Sequence, residues 1–421
     1  MRVESWLERA ARRHPERRAV GAMRYAELAR RARGAGAELA ARGVRRGDRV
    51  GLAVPAREDL CVALHGCLLT GAVVVPIDLR LAAREREAVA AGTSLVLDEP
   101  LGGGDGRAAT GARHDLDATA IVVHTSGSTG APRRVELTYG NWLWSALGSA
   151  VALGVDPRDR WLCTLPPTHV GGLSILLRSA IYGTGVVLHE RFETERVLAE
   201  LDDPAGPTLV SLVPTTLARL LDAGLRDPPA LRWALLGGAP LPPALLERAA
   251  AAAVPVASTY GLTEACSQVA THGVPLFCTR VRLSEQGEIL VAGPTVAPAS
   301  GPVLHTGDLG RIDERGRLVV TGRVTDTIVT GGENVVPAEV EAVLAAHPAV
   351  AEAAVHGRAD PEWGEAVVAT VVLRPGAQAT AEALRRHCAA RLAAFKVPKA
   401  VAFAPALPRT ASGKVARAAL R

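Results

Sequence analysis

The sequence predicts an α/β fold: a large N-terminal domain of layered α/β subdomains plus a β-rich subdomain, followed by a small α+β C-terminal domain. Three observations lead there. Short apolar, strand-like runs alternate with helical stretches from Arg49 to Leu236; short strands with tight Gly turns begin near residue 284; and a compact α+β pattern follows Arg323. At 421 residues and 48% hydrophobic content, the chain can bury a large core and form more than one domain.

The elements follow in order. Leu and Ala recur at helical spacing over 25–43, and Gly43 ends that helix. Arg49–Val54 and Ala72–Ile77 read as buried strands flanking an apolar helix, Leu60–Leu69, which is a βαβ rhythm. Strand-like runs recur at Ala120–His124, Trp161–Leu165, Gly185–His189, Thr208–Val213 and Arg232–Leu236, so mostly parallel sheets are expected. Further on, Gly287–Val291, Arg311–Asp313 and Arg317–Thr321 read as short strands, the last two joined by a hairpin turn over 313–317. A helix Pro337–His347, strands Ala353–Gly357 and Val367–Leu373, and a helix Ala381–Leu392 complete the chain. The domain boundary falls at Val324–Asp326, giving domains 1–324 and 325–421.

Composition excludes several classes. The net charge of +5 is carried by scattered arginines, which argues against a nucleic-acid partner. No run of about 18 apolar residues exists, so no membrane span is expected, and the charged start lacks a signal-peptide core, so a cytoplasmic location is expected. The six cysteines form no CxxC pair and no cluster with histidine, which suggests neither disulfides nor zinc. Lysine occurs only at 396, 399 and 414 in an arginine-rich chain. A surviving lysine is therefore informative, because a compact ammonium and a planar guanidinium are not interchangeable.

Five blocks carry chemistry. His124-Thr125-Ser126-Gly127-Ser128-Thr129-Gly130-Ala131-Pro132-Arg133 follows an apolar strand. Its hydroxyls and backbone N–H groups can wrap a polyphosphate, although a flexible turn is the plain alternative and a Walker A pattern is absent. Gly237-Gly238-Ala239-Pro240 also follows a strand. In Ser258-Thr259-Tyr260-Gly261-Leu262-Thr263-Glu264, Tyr260 can stack on a base, Gly261 allows close approach, and Glu264 offers a hard oxygen to Mg2+. Read singly, Tyr260 would be a core residue and Glu264 a surface carboxylate. His305-Thr306-Gly307-Asp308 supplies a bidentate acceptor for ribose hydroxyls, with Arg323, Asp326 and Gly331-Gly332-Glu333-Asn334 beyond it. Pro408-Arg409-Thr410-Ala411-Ser412-Gly413-Lys414 presents a lysine among small residues, for which a solvated tail is the alternative.

In this order the blocks resemble the adenylate-forming superfamily of acyl-CoA synthetases, luciferases and peptide-synthetase adenylation domains, over essentially the whole chain. Within it, the run from Pro166 through His169 to Ser179, the run Thr263–Thr271, and Trp363-Gly364-Glu365 are most similar to the o-succinylbenzoate–CoA ligase subfamily of menaquinone biosynthesis. The resemblance implies ATP, Mg2+ and coenzyme A as cofactor and co-substrates, with a small carboxylic acid as partner. Thr125–Gly130 would hold the phosphates. Gly237, Gly238 and Ala239 with Tyr260 and Gly261 would frame adenine, and Thr263 would sit at AMP. Thr129 and Glu264 would serve the metal, and Asp308 and Arg323 the ribose. Lys414 would bridge the acid and the α-phosphate. His169 and Ser267 would line the acid or thiol path, with a core histidine as the alternative for His169. Arg178 is expected to clamp a second carboxylate, with a solvated helix face as its alternative. Thr325 would be the hinge of a mobile small domain, with Gly331, Gly332 and Trp363 on the CoA side. The sequence is silent on oligomeric state; relatives vary, and a homodimer is one outcome the resemblance allows.

The sequence also departs from the family pattern. The phosphate loop ends Pro132-Arg133-Arg134 instead of Pro-Lys-Gly, and the segment between Gly293 and His305 is short. The His169 block lacks the Asp that amino-acid-activating relatives carry, which argues against an amino-acid substrate. A ligase for another aryl or fatty acid, an enzyme that loads a carrier protein, and an inactive nucleotide-binding regulator remain the alternatives.

Overall fold

The computed structural model describes residues 1–55, 57–102, 112–126, 132–409 and 415–420. The chain divides into two compact units, Met1–Val281 with Val291–Leu304, and Arg282–Leu290 with His305–Arg421.

Among the described residues, the first unit is built on two large sheets. A five-stranded sheet runs in the order Leu95–Leu97, Arg49–Leu52, Val73–Pro76, Thr119–Ser126, Pro132–Thr138. Its first four strands are parallel and its last pair is antiparallel. The nine-stranded sheet has a parallel centre formed by Gly185–Leu188, Arg160–Cys163, Leu209–Leu212, Trp233–Leu236 and Val256–Leu262. Strands covered on both faces read as unbroken apolar runs; Val73–Pro76 and Leu209–Leu212 are buried at every position. One core gathers Leu39, Ile121, Trp142 and Leu177, and another gathers Leu162, Leu212, Leu217 and Leu236.

The predicted α/β alternation is therefore observed. The last two strands at one end of the nine-stranded sheet, Ser267–Thr271 and the edge strand Val274–Pro275, turn antiparallel and were not among the expected elements. Helix Tyr139–Leu153 starts on a reciprocal cap: Thr138 Oγ1 accepts from the Asn141 N–H at 3.1 Å, and Asn141 Oδ1 accepts from the Thr138 N–H at 2.8 Å. The Asn141 amide also donates to Pro294 O (2.8 Å) and Val296 O (3.0 Å), which ties the shortened segment after Gly293 into this unit.

Most of a four-stranded sheet, Arg280–Leu283, Glu288–Ala292, Leu304–Ile312 and Leu318–Arg323, falls in the second unit, its last two strands pairing antiparallel. Beside it lies a mixed sheet whose long hairpin, Val350–Asp360 with Gly364–Leu373, is covered by helices Pro337–Ala345 and Ala381–Ala389. The sequence suggests a cut after residue 324, whereas packing groups the first of these sheets with the C-terminal elements. The reason is local: Gly322 leaves its Cβ space to Val336, which leads into helix Pro337–Ala345. Strand Leu304–Ile312 also starts earlier than the expected Arg311. Gly307 (φ 69°) sits within it and reads as a turn, yet the backbone pairs on toward Arg323.

Among the described residues no helix is long and apolar enough to cross a membrane. All six cysteines are unpaired, and five are buried, with Cys278 half-buried. Burial pushes the thiols of Cys67 and Cys163 up to about 12, and those of Cys61, Cys266, Cys278 and Cys388 upward too.

Candidate active site

Ligands of parallel α/β sheets bind at the carboxyl ends of the strands. There, Gly237–Ala239 follows Trp233–Leu236, and Tyr260 and Gly261 end Val256–Leu262. A Cβ on Gly237 would lie 2.9 Å from Thr259 O, so only glycine lets this loop rest against the next strand. Gly261 is equally constrained, because a Cβ there would collide with the Ser267 carbonyl across a bulge between Tyr260 and Gly261.

A 3-10 turn, Thr263–Ala265, then presents Glu264. Two non-glycine residues in succession, Cys266 (φ 53°) and Ser267 (φ 91°), return the chain into strand Ser267–Thr271. Such backbone costs on the order of 1–3 kcal/mol per residue and persists only where neighbours hold it. Here Ser145 Oγ donates to Cys266 O at 2.6 Å, and the Ala297 N–H donates to Glu264 O at 2.8 Å. The Glu264 carboxylate faces Arg133 at 3.9 Å.

Arg133 belongs to the phosphate hairpin. Thr125 pairs with Arg133 and Ser126 with Pro132 across the two strands, so the hairpin ends are fixed in register. Gly127, Ser128, Thr129 and Gly130 lie outside the described residues. Arg133 keeps the positive charge expected at this point and directs it at the candidate metal ligand. One hard carboxylate oxygen suits Mg2+, which takes much of its shell from water and phosphate rather than from a protein cage. Among the described residues no group of three His, Cys, Asp or Glu could hold a metal.

His169 caps helix Val170–Tyr182. Gly172 is required here, since a Cβ would lie 2.7 Å from Leu165 O. His169 Nε2 stands 4.0 Å from Asp78 Oδ2, and Thr168 Oγ1 reaches the same oxygen at 3.4 Å. Burial pushes the Asp78 carboxyl up, but hydrogen bonds from Arg80 outweigh it and hold the group below the usual carboxylate range.

Arg178 is 2% exposed, which overturns the solvated-face alternative. Its guanidinium lies 5.8 Å from the Trp161 ring centroid and donates to Ser145 Oγ at 3.3 Å, while Nε has no hydrogen-bond partner. No carboxylate among the described residues forms an ion pair with it. Burial lowers its pKa, a penalty that an anion bound beside it would offset.

The second unit carries its own candidates. Asp308 and Arg323 are cross-strand partners, with Arg323 Nε donating to Asp308 Oδ1 at 2.7 Å. Thr325 is exposed in a 3-10 turn, Val324–Asp326. Gly331 (φ 57°) and Gly332 (φ 82°) form the turn between Ile328–Thr330 and Glu333–Val335. Trp363 closes on this turn: its carbonyl accepts the Gly331 N–H at 2.8 Å, and a Cβ on Gly331 would lie 2.8 Å from its ring. Lys399 Nζ sits 4.2 Å from the centroid of the same Trp363 ring. Lys414 lies outside the described residues; beside it, Arg409 and Val415 form an antiparallel bridge.

Sequence reasoning missed Ser145, Asp78 and Lys399 as neighbours of the site. Only Lys399 carried a signal, the scarcity of lysine.

Residues 7–97 and 93–322 match the family model described as AMP-binding enzyme, and residues 339–414 match AMP-binding enzyme C-terminal domain. The 2-succinylbenzoate–CoA ligase of Bacillus subtilis (strain 168) is 36% identical, covering 99% of this chain and 97% of its own. The structure of o-succinylbenzoate CoA synthetase from Bacillus subtilis in complex with its acyl-adenylate intermediate matches with a TM-score of 0.92 at 36% identity, covering 100% of this chain and 98% of that one. The same enzyme in complex with ATP and magnesium ion matches at 0.90, with 36% identity over 99% of each chain. Matched by family models across nearly its whole length and similar throughout to such a relative, the chain belongs to the adenylate-forming family of AMP-binding enzymes.

Proposed function

We propose that this enzyme uses ATP and Mg2+ to activate 2-succinylbenzoate as its acyl-adenylate and passes the acyl group to coenzyme A. The products are the CoA thioester, AMP and pyrophosphate, a step of menaquinone biosynthesis. Arg178 carries the reading of the acid: a buried guanidinium with no carboxylate partner among the described residues suits a substrate with a second carboxylate. A cytoplasmic location, expected from the sequence, belongs to the same proposal, and a homodimer is the oligomeric state to be tested with it.

The acid's carboxylate and the triphosphate repel one another, so catalysis is chiefly alignment and charge neutralisation. Lys414 would bridge the two reacting groups. Thr125–Gly130 would hold the phosphates, and Tyr260 with Gly237–Ala239 would frame the base. Asp308 would take the ribose hydroxyls, with Arg323 orienting its carboxylate. Mg2+ at Glu264 would supply further neutralisation of phosphate charge. For the thioester step the family resemblance assigns Thr325 as hinge, and Gly331, Gly332 and Trp363 as the CoA-side surface.

Pyrophosphate release across a panel of acids, with and without CoA, tests the whole. Selective release with 2-succinylbenzoate and a CoA thioester product is expected. Release with other aryl or fatty acids instead would replace the substrate, and thioester formation only on a carrier protein would replace CoA. Arg178→Ala should raise the Michaelis constant for 2-succinylbenzoate roughly 30- to 150-fold, the worth of a charge-assisted pair of about 2–3 kcal/mol. An unchanged constant would remove the clamp. Thr325→Pro, which restricts φ where a hinge needs freedom, should slow CoA transfer at least several-fold more than adenylation. Equal rates of transfer in variant and wild type would refute the hinge.

A further inference from the structure

Arg178 makes its one hydrogen bond among the described residues to Ser145, and the same hydroxyl serves a second group. A hydroxyl has one proton and two lone pairs. Ser145 donates that proton to Cys266 O at 2.6 Å, so toward Arg178 it can only accept, at 3.3 Å. The relay therefore has one direction, from guanidinium to hydroxyl to carbonyl. Its end is the left-handed Cys266, two residues after Glu264. Three elements meet at the Ser145 hydroxyl: helix Tyr139–Leu153, helix Val170–Tyr182 and the turn after Leu262. Ser145 is 1% exposed and Arg178 2%, so water does not compete for these bonds. Trp161 constrains the guanidinium from its ring face without fixing its rotation, which leaves Ser145 as the directional contact.

We infer that Ser145 is a positioning residue for the acid: its hydroxyl fixes the guanidinium of Arg178 against the main chain of the Glu264 turn and so sets where a second substrate carboxylate is held. The inference rests on the substrate reading above. It goes beyond it in naming what aims the clamp and in joining the clamp to the turn that carries the candidate metal ligand. In an enzyme lacking this hydroxyl, the guanidinium could rotate over Trp161, and affinity would fall most for acids that use it.

The test compares 2-succinylbenzoate with 4-oxo-4-phenylbutanoate, the same acid without its ring carboxylate, by pyrophosphate release. Ser145→Ala should raise the Michaelis constant for the diacid about tenfold, the worth of one hydrogen bond to a charged group. It should raise the constant for the monoacid clearly less, since that acid makes no use of the clamp and loses only the support that the Ser145 bond gives the Cys266 carbonyl. Ser145→Thr, which keeps the hydroxyl, should restore most of the diacid affinity, and thermal melting establishes that both variants fold. For the diacid, Ser145→Ala should add little to Arg178→Met, because the hydroxyl acts through that arginine. Equal losses for both acids would reduce Ser145 to a structural support of the turn and overturn the inference, as would an unchanged diacid constant. A wild-type enzyme that does not distinguish the acids would instead refute the diacid reading, and with it the clamp that Ser145 is inferred to aim.

Discussion

Lys414→Ala lowers pyrophosphate release from ATP and 2-succinylbenzoate by about 10²–10³-fold or more, while CoA transfer from supplied acyl-adenylate stays near the wild-type rate. The size is that of one preorganised charge removed from a transition state in which anionic groups must approach, on the order of 3–4 kcal/mol. The asymmetry follows from the chemistry, because pyrophosphate has already left before the thiol attacks and repulsion by the triphosphate is gone. Lysine is kept at this position in a chain that otherwise writes its cations as arginine, with three lysines in all. Lys414→Arg should therefore fail to restore the rate, since a planar fork does not fill the place of a point charge between two oxygens. Single-turnover measurement of each half-reaction decides the matter. Equal loss in both would sink the assignment and leave Lys414 a general structural residue.

Glu264→Gln should cost adenylation about 10²-fold and move the Mg2+ requirement to higher concentration. The amide matches the carboxylate in shape, and the turn's own bonds, Ser145 to Cys266 O and Ala297 N–H to Glu264 O, do not use the side chain. Charge is thus what changes. Without it the metal loses its hard ligand, and Arg133, 3.9 Å away, loses its counter-charge and can turn to the phosphates. This second effect limits the damage at saturating Mg2+ and makes the concentration dependence the sharper readout. Pyrophosphate release titrated with Mg2+ checks it. An unshifted midpoint would mean that Glu264 does not serve the metal.

Much of the scaffold was legible because parallel strands have to be apolar throughout. Arg49–Val54 and Thr208–Val213 could hardly be anything else, and the observed strands lie within them. The Asp308–Arg323 pair was half legible: the turn over 313–317 fixes the hairpin, and the hairpin fixes which residues face each other. Arg178 was not legible in its surroundings. An arginine on a helix reads as solvated, and only Trp161 and Ser145, brought in by other elements, make its burial tolerable. Lys399 was noticed for its rarity, but its place over Trp363 depends on the strand Ala400–Phe403, which pairs parallel to Gly364–Leu373 and left no clear period in the sequence. Local pattern therefore recovered the elements, while the partners that give polar groups their roles came from distant parts of the chain.

The cysteines have a consequence for an enzyme whose co-substrate is itself a thiol. Disulfide exchange needs a thiolate on the attacking side and an accessible sulfur on the other. With five of the six side chains buried and all six thiols pushed toward the protonated form, the protein offers almost nothing to oxidised coenzyme A. Half-buried Cys278, beside the carbonyl of Trp144, is the one partial opening. The fold thereby keeps its own sulfur chemistry apart from that of the molecule it acylates, so a shift in cellular redox balance would reach this enzyme through the supply of reduced coenzyme A before it reached the polypeptide.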